Sequence, residues 1–255
     1  MSVPNIQQSK GDLAGLPESL SDALARASLG EPPHWAGSLE LCAATPRVAI
    51  IGTRKPSPTG LAVTEAIAGQ LAAAGALVVS GSAVGTDMAA HRAALDRGRP
   101  TVAIIPCGLG RIPWPDWRRP FAAVGPGPLL LLLSPFPIRQ ILTRQTPVIR
   151  NRLIAALAHA VVVGEAGINS GTHHCVAAAL GFGVPVFFLH TGEEEPRLAE
   201  FHRELQRRGA TPFAPDDAWG PDFPSTVFRA ATGREIQLRR DDAAQLRLFP
   251  ESSAP

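Results

Sequence analysis

Apolar residues along this chain come in short blocks separated by longer stretches of helical spacing. Blocks at 47–52, 76–80, 100–106, 128–134, 160–165 and 185–190 are rich in Val, Ile and Leu and too short for helices, so each predicts a buried strand. Helical spacing fills the intervals at about 60–74, 86–97, 150–159, 171–182 and 194–208. Strand–helix alternation of this kind predicts an α/β fold. Parallel strands joined by right-handed crossovers form a Rossmann-like, doubly wound, mostly parallel sheet with helices on both faces. The binding crevice of such a sheet lies at the carboxyl ends of its strands.

The pattern is weaker on either side of this core. Residues 1–45 begin polar. They then show helical spacing over 13–29, with Leu16, Leu20, Leu24 and Ala27 on one stripe, and break at Gly30 into an irregular run through Pro32, Pro33, His34, Trp35 and Gly37. This predicts a small helical N-terminal extension, with the main domain over 46–210. Beyond 210 the prolines and acids at 215–224 predict an irregular C-terminal extension over 211–255. A β-like piece is expected at 226–238 and a flexible tail from 239.

Composition narrows the class. With 45% hydrophobic and 18% charged residues, 255 residues can bury a full core. The longest apolar run, 128–133, is far too short to span a bilayer, and the start of the chain does not read as a signal peptide, so no membrane association and a cytoplasmic location are expected. Cys42, Cys107 and Cys175 are odd in number and unpaired in spacing, which argues against a disulfide framework or a zinc site and for buried small residues. A net charge of +2 is mild. The 24 basic side chains include only two lysines, Lys10 and Lys55. Arginine suits phosphate contacts, but a GC-rich genome explains the same bias.

Four segments fall where the strand ends converge. The first, 47–60, reads RVAIIGTRKPSPTG: a strand breaks at Gly52, passes Thr53, Arg54 and Lys55, and reaches Ser57 and Gly60 as a helix begins. A glycine turn feeding a helix N-terminus presents N–H groups to an anion. The second runs through Ser80, Gly81, Gly85, Asp87 and His91; here Asp87 and His91 suit a helix cap and a packed histidine as well as they suit ligand contacts. The third is Arg150, Asn151 and Arg152, whose cations must either rim a crevice and hold phosphate or pair with carboxylates such as Glu165. The fourth runs from Glu165 to Ser170, Gly171 and Thr172, another strand-to-helix turn.

No nucleophile–base set stands out, so no catalytic role is expected. His173 and His174 are adjacent on a helix and point about 100° apart, which does not suit one metal. The GxGxxG fingerprint is missing after the first core strand, so a dinucleotide is disfavoured and no cofactor is expected.

Together these segments resemble the DprA/Smf family of DNA-processing proteins. Its GSR-type turn is similar to Gly52-Thr53-Arg54 with Ser57 and Gly60. Its second motif is matched by Ser80, Gly81, Ala83, Gly85, Asp87, Ala90 and His91, and its C-G-L turn by Cys107-Gly108-Leu109. The RNR helix start is matched by Arg150-Asn151-Arg152, and the EA-to-SG turn by Glu165-Ala166 with Ser170, Gly171 and Thr172. The match covers roughly 47–190. The resemblance implies a non-catalytic protein that binds single-stranded DNA in a basic pocket, usually as a homodimer, and helps load a RecA-type recombinase during DNA uptake. Arg54 would then be the main phosphate ligand; Gly52, Thr53, Ser80 and Gly81 would add N–H and hydroxyl contacts; Arg150 and Asn151 would form the wall. Lys55, Ser57, Arg144, Arg152, Ser170, Gly171 and Thr172 complete the candidate DNA-contacting set, with Asp87, His91 and Glu165 as pocket support.

The chain departs from that pattern at several points. Val84 stands where the family commonly has Arg, Ser134-Pro135 replaces S-E, and Cys175-Val176 replaces T-A. The aromatic expected shortly before RNR is absent, with Pro147 in its neighbourhood and Phe136 or Arg144 as substitutes. Two other readings remain open. One is a sensor or hydrolase of nucleotide metabolites akin to the lysine-decarboxylase-like group, although the PGG-x-GT-x-x-E loop of that group is missing. The other is a scaffold docking on the sliding clamp through Gln245, Leu246, Leu248 and Phe249, which resemble the clamp-binding QL-x-LF peptide.

Overall fold

A computed structural model describes residues 6–8, 15–112, 121, 124–166, 171–192 and 196–232. Its centre is a nine-stranded sheet in the order β1-β2-β6-β5-β4-β3-β7-β8-β9. The strands are β1 (Gln7–Gln8), β2 (His34–Ala36), β3 (Arg47–Ile51), β4 (Leu77–Ser80), β5 (Thr101–Ile104), β6 (Leu130–Ser134), β7 (Ala160–Val163), β8 (Val186–Leu189) and β9 (Thr211–Phe213). From β6 across to β9 every pairing is parallel, while β1 and β2 join antiparallel at the β6 edge. The helices are α1 (Glu18–Arg26), α2 (Pro58–Ala73), α3 (Thr86–Leu95), α4 (Thr146–Leu157), α5 (Thr172–Gly181), α6 (Pro196–Arg207) and α7 (Asp222–Thr232). The doubly wound, mostly parallel architecture expected from the hydrophobic pattern is the one observed.

Strand periodicity sorts the core into two faces. On β3, Ala49 and Ile51 pack with α1, α4 and α5, whereas Val48 and Ile50 pack with α2, α3 and α7. On β7, Val161 and Val163 follow the first face and Ala160 and Val162 the second. A helix layer on each face leaves the central strands wholly buried, which is why they read as unbroken apolar blocks. The three cysteines are free and buried.

The flanking segments depart from expectation. The piece at 226–238 is not β-like: residues 222–232 form α7, and 233–238 lie outside the described residues. Phe223 and Val227, four residues apart, form a helical stripe against the α2 face, and this packing overrides the strand bias of a Thr-Val-Phe triplet. The segment after 210 is more ordered than expected: β9 pairs with β8, and a 3-10 helix follows at Pro215–Trp219. Pro212 is tolerated in β9 because this strand is the edge. In the N-terminal extension α1 is present, but the irregular run expected at 32–37 contains β2. Three residues are too few to show a period. The peptide Gln245–Phe249 lies outside the described residues.

Arg47 ties the start of the core together. It is buried, and its guanidinium donates to Leu157 O (2.7 Å), Cys42 O (3.1 Å) and Ala44 O (2.9 Å). One side chain thus joins β3, the end of α4 and the 3-10 helix at Leu39–Ala43. Arg47→Leu strands three carbonyls and is expected to lower stability by about 2–4 kcal/mol, read from the midpoint of urea unfolding.

Candidate functional site

Chain order reverses beside β3: the path runs out through β4, β5 and β6 on one side and through β7, β8 and β9 on the other. Loops leaving β3 and β7 therefore part to opposite sides and open a crevice at their carboxyl ends, with the β4–α3 turn and the start of α4 beside it.

The β3–α2 turn is bound to its neighbours through the backbone. Thr53 N donates to Glu165 O at 2.6 Å, and Thr53 O accepts from both Thr86 N (3.2 Å) and Thr86 Oγ1 (3.1 Å). Gly52 O accepts from Thr172 Oγ1 at 3.2 Å. A side chain at 52 would lie 2.6 Å from Glu165 O and from Thr86 Oγ1, so only glycine lets the turns after β3 and β7 approach this closely. Gly85 meets two demands at once: its φ is +89°, and a Cβ there would lie 2.7 Å from Thr53 O and Arg54 O. At the head of α2, Ser57 Oγ accepts from Gly60 N (3.0 Å), and Ser57 N donates to the Glu165 carboxylate (2.6 Å).

The floor is charged. Arg150 is buried and donates to Ile104 O and, through Nε, to Asn151 Oδ1 at 3.1 Å. Its guanidinium and the Asp87 carboxylate converge on Gly81, where any Cβ would strike both. Asp87 also accepts from Ala83 N at 3.2 Å. Burial pushes its carboxyl pKa up, against the opposing pull of Arg150, the Ala83 N–H and Arg54. Burial likewise raises the Cys175 thiol to about 12, against the same arginine, leaving it un-ionised at neutral pH. Arg54 and Lys55, by contrast, are exposed on the rim, and neither side chain has a hydrogen bond or ion pair among the described residues. Arg54 is near enough for its charge to act on both Asp87 and Arg150.

The candidate residues thus divide. Gly52, Thr53, Arg54, Lys55, Ser57, Gly81, Asp87, Arg150 and Glu165 come together around the crevice. Asn151 donates to Gly171 O at 2.9 Å and bridges the floor to the start of α5, where Thr172 is buried. Arg144 lies exposed in the segment leading to α4. Arg152 points elsewhere: it donates to Ala27 O (3.0 Å) and Ser28 Oγ (3.4 Å), clamping the end of α1, because residues two apart on a helix face different sides. Ser80 is fully buried with its hydroxyl donated to Ile50 O, so it braces β4 against β3 and offers no surface contact. Glu165 engages the α2 N-terminus, and it is Asp87 that balances Arg150. Ser170 lies outside the described residues. Two residues of the second segment, Ser82 and Thr86, carry no role in the sequence reading. Thr86, a hydroxyl at the first turn of α3, locks the β3–α2 turn. The buried Ser82 hydroxyl has no hydrogen-bond partner among the described residues, and nothing in its sequence neighbourhood signals this. Among the described residues no group of three or more His, Cys, Asp or Glu side chains is placed to hold a metal, and no helix is long and apolar enough to cross a membrane.

The pattern of a known family, DNA recombination-mediator protein A, matches residues 25–218. The chain belongs to that family. Among curated members of the DprA/Smf group, it is 36% identical over 160 residues to the protein Smf of Synechocystis, covering 62% of this chain and 38% of that one. It is 35% identical over 155 residues to the DNA processing protein DprA of Streptococcus pneumoniae, covering 61% and 54%. The match therefore spans about a third to a half of these relatives. A solved DprA from Helicobacter pylori, described for its single-stranded DNA binding mode, superposes with a TM-score of 0.71 at 25% identity over 88% of this chain and 96% of that one. The S. pneumoniae DprA structure gives 0.70 at 28% identity, over 85% and 74%. The DprA resemblance noted on the motifs of the core is thereby established, and the match reaches from the last residues of α1 into the 3-10 helix at Pro215–Trp219.

One DprA-type motif residue provides a pH handle. His91 is wholly buried; Nε2 lies 2.8 Å from Gly81 O and Nδ1 2.7 Å from Thr101 Oγ1. A carbonyl only accepts, so in the neutral ring Nε2 carries the proton and donates to Gly81 O. Burial lowers the ring's pKa from 6.5 to about 4. Between those values the unfolded chain takes up a proton that the folded ring refuses. The stabilisation is therefore intact above pH 6.5 and lost as pH falls toward 4. His91→Gln, which still donates to Gly81 O, is expected to flatten the fall in melting temperature between pH 7 and 4 relative to the wild type, measured by calorimetry.

Proposed function

We propose that this chain binds single-stranded DNA along the rim formed by Arg54 and Lys55 and acts as a recombination mediator. One observation carries the reading: two exposed cations without partners among the described residues stand over a floor whose own charges, Arg150 and Asp87, are already balanced inside the protein. Free cations on a fixed turn hold backbone phosphates without reading bases, which suits a strand of any sequence. The described binding of single-stranded DNA by the H. pylori relative supports the same reading. Arg144, exposed before α4, is a further cation that this proposal assigns to phosphate contact. In this proposal the protein works as a homodimer, passes the strand to a RecA-type recombinase and serves DNA uptake, with no chemical step of its own.

The test is fluorescence anisotropy with a labelled oligo-dT. Binding is expected to weaken linearly in log–log form as salt rises, with a slope of about −0.7 per phosphate held. Arg54→Ala is expected to cost roughly tenfold in affinity and to reduce the slope by about 0.7. Absence of binding at low salt overturns the proposal.

A further inference from the structure

A strand-to-helix turn of this shape holds an anion at the helix N-terminus, yet here the place is already taken. Of the leading groups of α2, Ser57 N is held by the Glu165 carboxylate at 2.6 Å, Pro58 has no N–H, Gly60 N is capped by Ser57 Oγ at 3.0 Å, and only Thr59 N is left without a partner among the described residues. The carboxylate lies so close to Gly60 that a side chain there would displace it. At its other end the same residue accepts Thr53 N through its carbonyl at 2.6 Å. Glu165 therefore grips both ends of the segment that carries Arg54 and Lys55.

The geometry points to Glu165 as an internal anion that fills the α2 N-terminus, positions the Arg54 turn, and excludes free phosphate and mononucleotides from the crevice. A fixed negative charge there cancels the attraction of those N–H groups and itself repels an incoming phosphate. Recognition is then left to the rim, where an isolated phosphate gains one or two contacts and a polyanionic strand gains several. The specificity is for a polymer over a monomer. This deepens the single-stranded DNA reading and rests on it for the identity of the polymer.

The experiment compares inorganic phosphate and oligo-dT binding in the wild type, Glu165→Gln and Gly60→Ala. Glutamine removes the charge at nearly unchanged size, so an incoming phosphate can displace it from Ser57 N–H. Gly60→Ala leaves the charge and pushes the carboxylate away, at a helical position where alanine favours folding. Phosphate is followed by calorimetry and by the Ser57 amide in ¹⁵N–¹H spectra. The wild type is expected to show no saturable phosphate binding. Glu165→Gln should bind phosphate at least ~10-fold more tightly than the wild type, with a shift at Ser57, and Gly60→Ala should fall between the two. The oligo-dT salt slope should steepen by about 0.7 in Glu165→Gln as one more phosphate is held. Saturable phosphate binding at Ser57 in the wild type, or no gain in either variant, overturns the assignment. Failure of every form to bind oligo-dT overturns the DNA reading instead, and the phosphate arm still decides the role of Glu165.

Discussion

Arg150 buries a full positive charge beneath the turn after β4, and much of the crevice is arranged around keeping it there. A guanidinium taken out of water must be met by acceptors and a counter-charge, or the fold bears a penalty of several kcal/mol. Ile104 O, Asn151 Oδ1 and Asp87 meet that need. Their convergence leaves no space for a side chain at position 81, and it adds to the burial that keeps His91 neutral. Loop geometry, glycine placement and protonation at this end of the sheet follow from one buried cation.

The crevice consequently contains two kinds of charge with separate roles. Arg150, Asp87 and Glu165 are spent on internal partners and hold the turns in register. Arg54 and Lys55 are left over and face outward. A pocket for a small phosphorylated ligand would turn helix N–H groups inward and keep them vacant. Here a carboxylate and a serine hold two of the N–H groups at the head of α2, Ser57 N and Gly60 N, and the open charge sits at the margin.

What could be read from the residues alone depended on how many of them act together. The alternation of buried strands with helices was legible because each strand has apolar neighbours on both faces, and the four turns were legible because glycines, hydroxyls and cations recur at the strand ends. Short outer strands were not: β2, beside the β1 edge, and β9, at the other edge, have three residues each, too few for a period, and they form by pairing with the backbone of β6 and β8. Side-chain direction was also hidden. Arg150 and Arg152 look equivalent in sequence, but one lies under the crevice and the other clamps α1. Ser80 is a hydroxyl beside a glycine turn, yet it points into the sheet. Glu165 was legible as support for the pocket. That it faces an amide at the head of α2, and leaves Asp87 to balance the arginine, is fixed by a contact between residues 108 apart in the chain.

The proline in β9 has a consequence beyond being tolerated. In a strand the N–H and C=O of one residue point to the same side and those of the next to the other. Phe213 O accepts from His190 N, so Phe213 and Thr211 face inward toward β8, and Pro212 faces outward. The outermost position of the sheet is thus held by the one residue type with no N–H to offer. A tenth strand, from another copy or from an unfolded neighbour, would find no donor there, so at this margin the sheet is protected against edge-to-edge growth.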